Sequence, residues 1–125
     1  LMGNGESILV VDDVQEQRDL ASDMLRRLGY RTHVAANGEA AVQFFKENKR
    51  ADLLLLDMIM HPGIDGYETY RRICEIKADQ KGIIVSGFSE TDRVKKAQSL
   101  GTGAYIQKPY LLEQLGSAVK RELKR

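Results

Sequence analysis

A chain of 125 residues, 42% hydrophobic and 30% charged, has the length and balance of one compact globular domain, with little room for a second. Its formal net charge of +1 gives no electrostatic ground for binding nucleic acid or a membrane surface, and no apolar stretch nears the length needed to cross a bilayer. The single cysteine, Cys74, excludes an internal disulfide and fits a reducing compartment, so a cytoplasmic location is expected.

Residues 1–6 are polar and Gly-containing, unlike a signal peptide, and read as an N-terminal tail or linker stub before a domain spanning 7–125. Ile8 to Val11 is a β-branched-rich run that stops at Asp12 and Asp13. Leu20, Met24, Leu25 and Leu28 then fall at helical spacing, closed by Gly29. Arg31 to Ala36 mixes polar and apolar residues as an edge strand does. After the Asn37-Gly38 turn, Ala40, Ala41, Phe44 and Phe45 mark a second helix. Leu53 to Leu56 is an uninterrupted apolar strand ending at Asp57, and Tyr67, Tyr70, Ile73 and Cys74 give the face of a third helix. Ile83 to Val85 is another buried strand, ending at Ser86, followed by a weaker helix through Val94, Ala97 and Leu100, with Gly101 after it. A short strand from Ala104 to Ile106 and a helix through Leu112, Leu115, Val119 and Leu123 complete the chain.

Five strands alternating with five helices indicate an α/β fold with a parallel sheet covered on both faces. Right-handed crossovers reduce the topologies to a few doubly wound orders, of which 2-1-3-4-5 is a common one. In any parallel sheet the ends of the strands share one edge. Asp12 and Asp13 end the first strand, Asp57 the third, Ser86 the fourth, and Lys108 follows the fifth. With order 2-1-3-4-5, strands one and three meet at the switch point, where such sheets bind ligands, and three carboxylates converge there. Such a cluster is relieved by a hard divalent cation such as Mg²⁺, which takes oxygen ligands and screens an incoming phosphoryl group. A carboxylate can then attack phosphorus, with Lys108 pairing with Asp57 or its phosphoryl oxygens and Ser86 donating a hydrogen bond.

Each residue alone also has an ordinary structural reading. An Asp after a strand caps helices, Ser86 before Gly87 is turn chemistry, and Lys108 before Pro109 is a solvated loop cation. Their coincidence at matching strand ends is what those readings leave unexplained.

The ordered motifs resemble the receiver domain of response regulators over nearly the whole chain. They are Ile8-Leu9-Val10-Val11-Asp12-Asp13, Asp52-Leu53-Leu54-Leu55-Leu56-Asp57-Met58 and Pro62-Gly63-Ile64-Asp65-Gly66-Tyr67, then Ile84-Val85-Ser86-Gly87-Phe88-Ser89-Glu90 and Gly103-Ala104-Tyr105-Ile106-Gln107-Lys108-Pro109-Tyr110. The resemblance implies a flavodoxin-like doubly wound sheet and a two-component signalling role. Asp57 would accept a phosphoryl group from a histidine kinase or phosphotransfer domain. Asp13 would ligate Mg²⁺ directly, with Asp12 assisting and the backbone carbonyl of Ile59 completing the site. Ser86 would move toward the phosphoryl group, Tyr105 would swing inward, and Lys108 would hold the phosphate, the Lys108–Pro109 bond being cis. The alternative for Tyr105 is an aromatic packed permanently in the core.

The same resemblance implies switching of a face made of the fourth helix, fifth strand and fifth helix, through which a homodimer could form. It also implies a kinase-facing surface on the first-helix segment, Val14 to Leu28. The segment Gly5 to Asp13 is similar to the start of receivers appended to hybrid histidine kinases. The readings are therefore an excised receiver, with a membrane-anchored kinase as its parent, or a free-standing regulator. One departure stands out: receivers commonly carry Pro at the fourth position after the phosphoacceptor, but His61 intervenes before Pro62, which predicts a loop longer by one residue.

An aspartyl-phosphate phosphatase would need an acidic residue two places after its nucleophile, where Val14 and Ile59 stand instead. No substrate turnover is expected, only slow self-phosphorylation from small phosphodonors and self-dephosphorylation. A nucleotide- or flavin-binding module would need a Gly-, Ser- or Thr-rich loop after the first strand, but Asp12-Asp13-Val14-Gln15-Glu16 is acidic. A silent pseudoreceiver would lack an acidic residue or the Lys, and none is missing.

Overall fold

The computed structural model describes residues 2–87 and 91–125; Leu1 of the tail and Phe88-Ser89-Glu90 of the fourth-strand motif lie outside the described residues. Ten elements follow in the expected alternation. They are β1 (Ser7–Val11), α1 (Gln15–Arg27), β2 (Arg31–Ala35), α2 (Gly38–Lys46) and β3 (Leu53–Asp57), then α3 (Gly66–Ile76), β4 (Gly82–Ser86), α4 (Asp92–Leu100), β5 (Ile106–Gln107) and α5 (Leu112–Lys124). All strand pairs are parallel, in the order β2-β1-β3-β4-β5.

Side chains alternate across a strand, and both faces of this sheet are covered, which is why β1, β3 and β4 are apolar without interruption. Ile8, Val10, Leu53, Leu55, Ile83 and Val85 face a layer from α1 and α5, where Ala21, Leu25, Leu115 and Val119 are buried. Leu9, Val11, Leu54, Leu56 and Ile84 face α2, α3 and α4, with Phe45, Tyr70, Ile73, Val94 and Ala97. Asn37 caps α2 through the Ala40 N–H (2.7 Å) and Asp65 caps α3 through the Glu68 N–H (2.9 Å), so both helices start at side chains suited to the task.

Three local expectations change. Leu20 is not on the inner face of α1 but 51% exposed, because Ala21 and Ser22 are the buried residues there. Small side chains let the helix approach the sheet, a cue that counting large apolar residues overlooks. Leu100 is likewise turned to the surface. The last strand is Ile106–Gln107 rather than Ala104–Ile106, held by only two pairings, Val85↔Ile106 and Ser86↔Gln107. At this edge one flank has no neighbouring strand to extend the ladder.

Residues 2–6 lie against the end of α1. The Gly5 N–H donates to the Gly29 carbonyl (2.9 Å) and the Arg31 N–H to that of Glu6 (2.9 Å).

Candidate functional site

The register of the sheet builds the site. Val11 is level with Leu56, Asp57 with Val85, and Ser86 with Gln107, so the residues that end or follow these strands share one edge. Oxygen atoms from Asp12, Asp13 and Asp57 all lie within 4.8 Å of one another. Asp12 and Asp57 are buried and Asp13 is half-buried.

Each carboxylate is held differently. Asp12 accepts from the Val14 N–H through Oδ1 (2.9 Å) and from Lys108 Nζ through Oδ2 (2.8 Å). It therefore turns the chain toward α1 and serves the cluster at once, but it does not cap the helix: Val14 is the N-cap residue of α1, and no side chain caps that end. Its backbone carbonyl accepts from Arg18 Nη1 (2.7 Å), which ties the strand end to α1. Asp13 Oδ2 accepts from the His61 N–H at 3.2 Å. Asp57 Oδ1 stands 3.6 Å from Lys108 Nζ, at ion-pair rather than hydrogen-bond distance. Lys108 thus lies closer to Asp12 than to Asp57, the partner expected from sequence. Its position follows from the edge pairing, where the Lys108 N–H donates to the Ser86 carbonyl at 2.8 Å.

Ser86 is buried at the end of β4, and Tyr105 is partly buried against the core cluster that includes Val94 and Ala97. Ile59 is exposed in the loop after β3, and the His61 side chain is also exposed. The Lys108–Pro109 bond is cis, as the resemblance implies, and so is His61–Pro62. Gly66 closes this loop: its N–H donates to the Met58 carbonyl at 2.8 Å, and a Cβ there would lie 2.7 Å from the Asp57 carbonyl oxygen.

Burial pushes the Asp57 carboxyl up to about 6; Lys108 opposes this, and the neighbouring Asp12 and Asp13 charges add to it. The Tyr110 hydroxyl is pushed up to about 12, by burial first and then by Asp12 and Asp57. Tyr110 borders the site, yet only its place in the Lys108-Pro109-Tyr110 motif was visible beforehand, with no role attached. The Arg18 anchor and the His61 N–H were missed as well. Neither is foreshadowed by residue type, since one uses a backbone carbonyl and the other a backbone amide.

Without a cation, the Asp57 charge opposes folding. The folded chain holds this proton up to about 6 against an ordinary value of 3.8. Stability should therefore fall as pH rises through that window and stay lowered above it, by on the order of 2 kcal/mol after solvent screening. Urea unfolding in the presence of a chelator should show Asp57→Asn gaining over the native chain between about pH 4 and pH 8. An advantage equal at both ends would show that the Asp57 charge is not its source.

The donor set suits a hard cation: three carboxylates, no sulfur or imidazole ligand among the clustered groups, and one lysine to offset them. Mg²⁺, Ca²⁺ and Mn²⁺ are the biological cations that suit oxygen donors of this kind.

A family model described as "Response regulator receiver domain" matches residues 8–120. The chain is 36% identical over 118 residues to Sporulation initiation phosphotransferase F of Bacillus subtilis (strain 168), covering 94% of each. It is 35% identical over 109 residues to Autoinducer 1 sensor kinase/phosphatase LuxN of Vibrio harveyi, covering 87% of this chain but 12% of that protein. Among solved structures, response regulator protein TrrA from Thermotoga maritima, in complex with Mg(2+)-BeF, superposes with a TM-score of 0.81 at 34% identity. That match covers 93% of this chain and 97% of TrrA. Other curated relatives are about twice as long as the matched region, which spans 50% of one and 51% of another.

Proposed function

Because this chain belongs to the response regulator receiver domain family of two-component signalling, we propose that Asp57 is its phosphoacceptor and that Asp12, Asp13 and Asp57 hold Mg²⁺ with the Ile59 carbonyl. The observation that carries this reading is the convergence of the three carboxylates within 4.8 Å at the edge where β1 and β3 adjoin. When bound, the cation supplies charge neutralisation for an incoming phosphoryl group.

The chain's own groups do the rest. Asp57 offers a carboxylate oxygen to phosphorus; the new O–P bond forms as the P–N bond of the donor phosphohistidine breaks, and its electron pair returns to the imidazole. Lys108, already 3.6 Å from Asp57, steadies the transferred charge as a point cation. Ser86 donates a hydrogen bond to a phosphoryl oxygen. Tyr105 follows into the space left behind, shifting the face of α4, β5 and α5 between two packings with different partners. A homodimer through that face belongs to the same reading.

The donor is a histidine kinase or phosphotransfer domain that docks on α1. A trough of about 330 Å³ beside Lys108, lined by Gln17, Leu20, Pro109 and Tyr110, supports this surface and gives the outward turn of Leu20 a use. No helix among the described residues is long and apolar enough to cross a membrane. A cytoplasmic receiver, free-standing or carried by a membrane-anchored hybrid kinase, is the corresponding cellular setting, with no direct nucleic acid contact.

Intact-mass measurement of the native chain, after incubation with acetyl phosphate or phosphoramidate, should show one phosphoryl group gained with Mg²⁺ and almost none with a chelator. No uptake, or uptake indifferent to Mg²⁺, would overturn the reading.

A further inference from the structure

The loop from Met58 to Asp65 joins β3 to α3 and carries His61 immediately before Pro62. Its near end is fixed where Gly66 donates to the Met58 carbonyl, and its middle touches the acidic cluster where the His61 N–H donates to Asp13 Oδ2 (3.2 Å). Asp65 closes the far end as the α3 cap, and Arg93 of α4 forks onto the same carboxylate. One further contact comes from an element that takes no part in the site. The Ile64 N–H donates to Oε2 of Glu39, in the first turn of α2, at 3.2 Å.

The surroundings of that contact are tight. Gly63 has φ +112°, and a Cβ there would lie 2.7 and 2.8 Å from the two Glu39 carboxylate oxygens. Only glycine takes this backbone without strain and lets the carboxylate settle onto the turn. Next to Glu39, Gly38 abuts both α3 and the loop: a Cβ on it would lie 2.0 Å from Thr69 Oγ1 of α3 and 2.6 Å from Ile64 Cγ1 of the loop. The start of α2, fixed by the Asn37 cap, is thus wedged against the loop with Glu39 reaching over its apex.

We propose that Glu39 is a positioning residue for divalent-cation binding. It holds the Gly63–Ile64 turn, and through it keeps the His61 N–H on Asp13 and the Ile59 segment ordered before the cation arrives. A loop ordered in advance loses less freedom on binding, and groups that orient ligands contribute to metal affinity without touching the metal. This inference rests on the acidic cluster being the Mg²⁺ site. Glu39 acts as a hydrogen-bond acceptor here, so its amide analogue, which keeps an acceptor oxygen but has no charge, should serve nearly as well.

Titration of the native, Glu39→Ala and Glu39→Gln chains with Mg²⁺, followed by backbone amide shifts, tests this. Glu39→Ala should weaken apparent Mg²⁺ affinity roughly five- to tenfold and speed hydrogen exchange at the His61 and Ile64 amides even without Mg²⁺. It should slow phosphoryl uptake at limiting Mg²⁺ and leave it unchanged at saturation. Glu39→Gln should stay within about twofold of native on every readout. Native-like Mg²⁺ binding and exchange in Glu39→Ala would overturn the brace while leaving the acidic site intact. Equal weakening in Glu39→Gln would replace it with a charge effect. A native chain that takes no Mg²⁺ would overturn both this inference and the site reading beneath it.

Discussion

Asp57→Asn is expected to take up no phosphoryl group from a small phosphodonor under conditions where the native chain takes one, a fall of about a hundredfold or more. The other two acidic residues are poorly placed to substitute. Both Asp12 oxygens are engaged, one by the Val14 N–H and one by Lys108 at 2.8 Å. Asp13 is only half-buried and has an oxygen on the His61 N–H. Asp57 alone ends its strand buried, with Lys108 near but not hydrogen-bonded, and its carboxyl pushed up to about 6. At neutral pH it is ionised yet poorly solvated, which favours attack on an electrophile. Asparagine keeps the shape and removes the nucleophile, and its effect on folding is expected to be stabilising. Loss of labelling in a well-folded variant therefore reports chemistry. The bound group should be released by hydroxylamine, as acyl phosphates are. Labelling of Asp57→Asn at the native rate would remove Asp57 from the role.

Lys108→Met should destabilise the cation-free protein by about 3 kcal/mol near neutral pH. Lys108 bridges Asp12 and Asp57, whose side chains retain only 7% and 11% of their exposure, and it is the one cation paired with either among the described residues. Methionine keeps most of the stem and deletes the charge, leaving three carboxylates within 4.8 Å with nothing to offset them. Removing one member of a buried pair costs far more than losing an exposed one. Pairs such as Arg71–Glu75, with side chains 42% and 63% exposed, should contribute a few tenths of a kcal/mol each. Added Mg²⁺ should restore part of the loss in Lys108→Met, because a cation then occupies the same field. Chemical denaturation with chelator and with Mg²⁺ measures both effects. Equal stability of variant and native chain under chelator would show that Lys108 does not compensate the cluster.

The sequence made the architecture legible because its signals are local. Short uninterrupted apolar runs at Ile8–Val11, Leu53–Leu56 and Ile83–Val85 suit strands buried on both faces, and helical spacing between them leaves few ways to wind a parallel sheet. Since parallel strands end on one edge, Asp12, Asp13, Asp57, Ser86 and Lys108 could be gathered from their places along the chain before any distance was known. The ordered motifs then narrowed the family.

Tertiary structure decided what depends on separations of an ångström or on groups that every residue carries. The preference of Lys108 for Asp12 over Asp57 is set by how β5 seats on β4, and hydrophobic pattern carries no record of it. The outward turn of Leu20 follows from Ala21 and Ser22 letting α1 close on the sheet, a matter of shape rather than polarity. The His61 and Ile64 amides look in sequence like any other backbone N–H. Only the folded loop brings one to Asp13 and the other to Glu39, because hydrogen-bond partners 48 and 25 residues apart are chosen by packing and not by spacing.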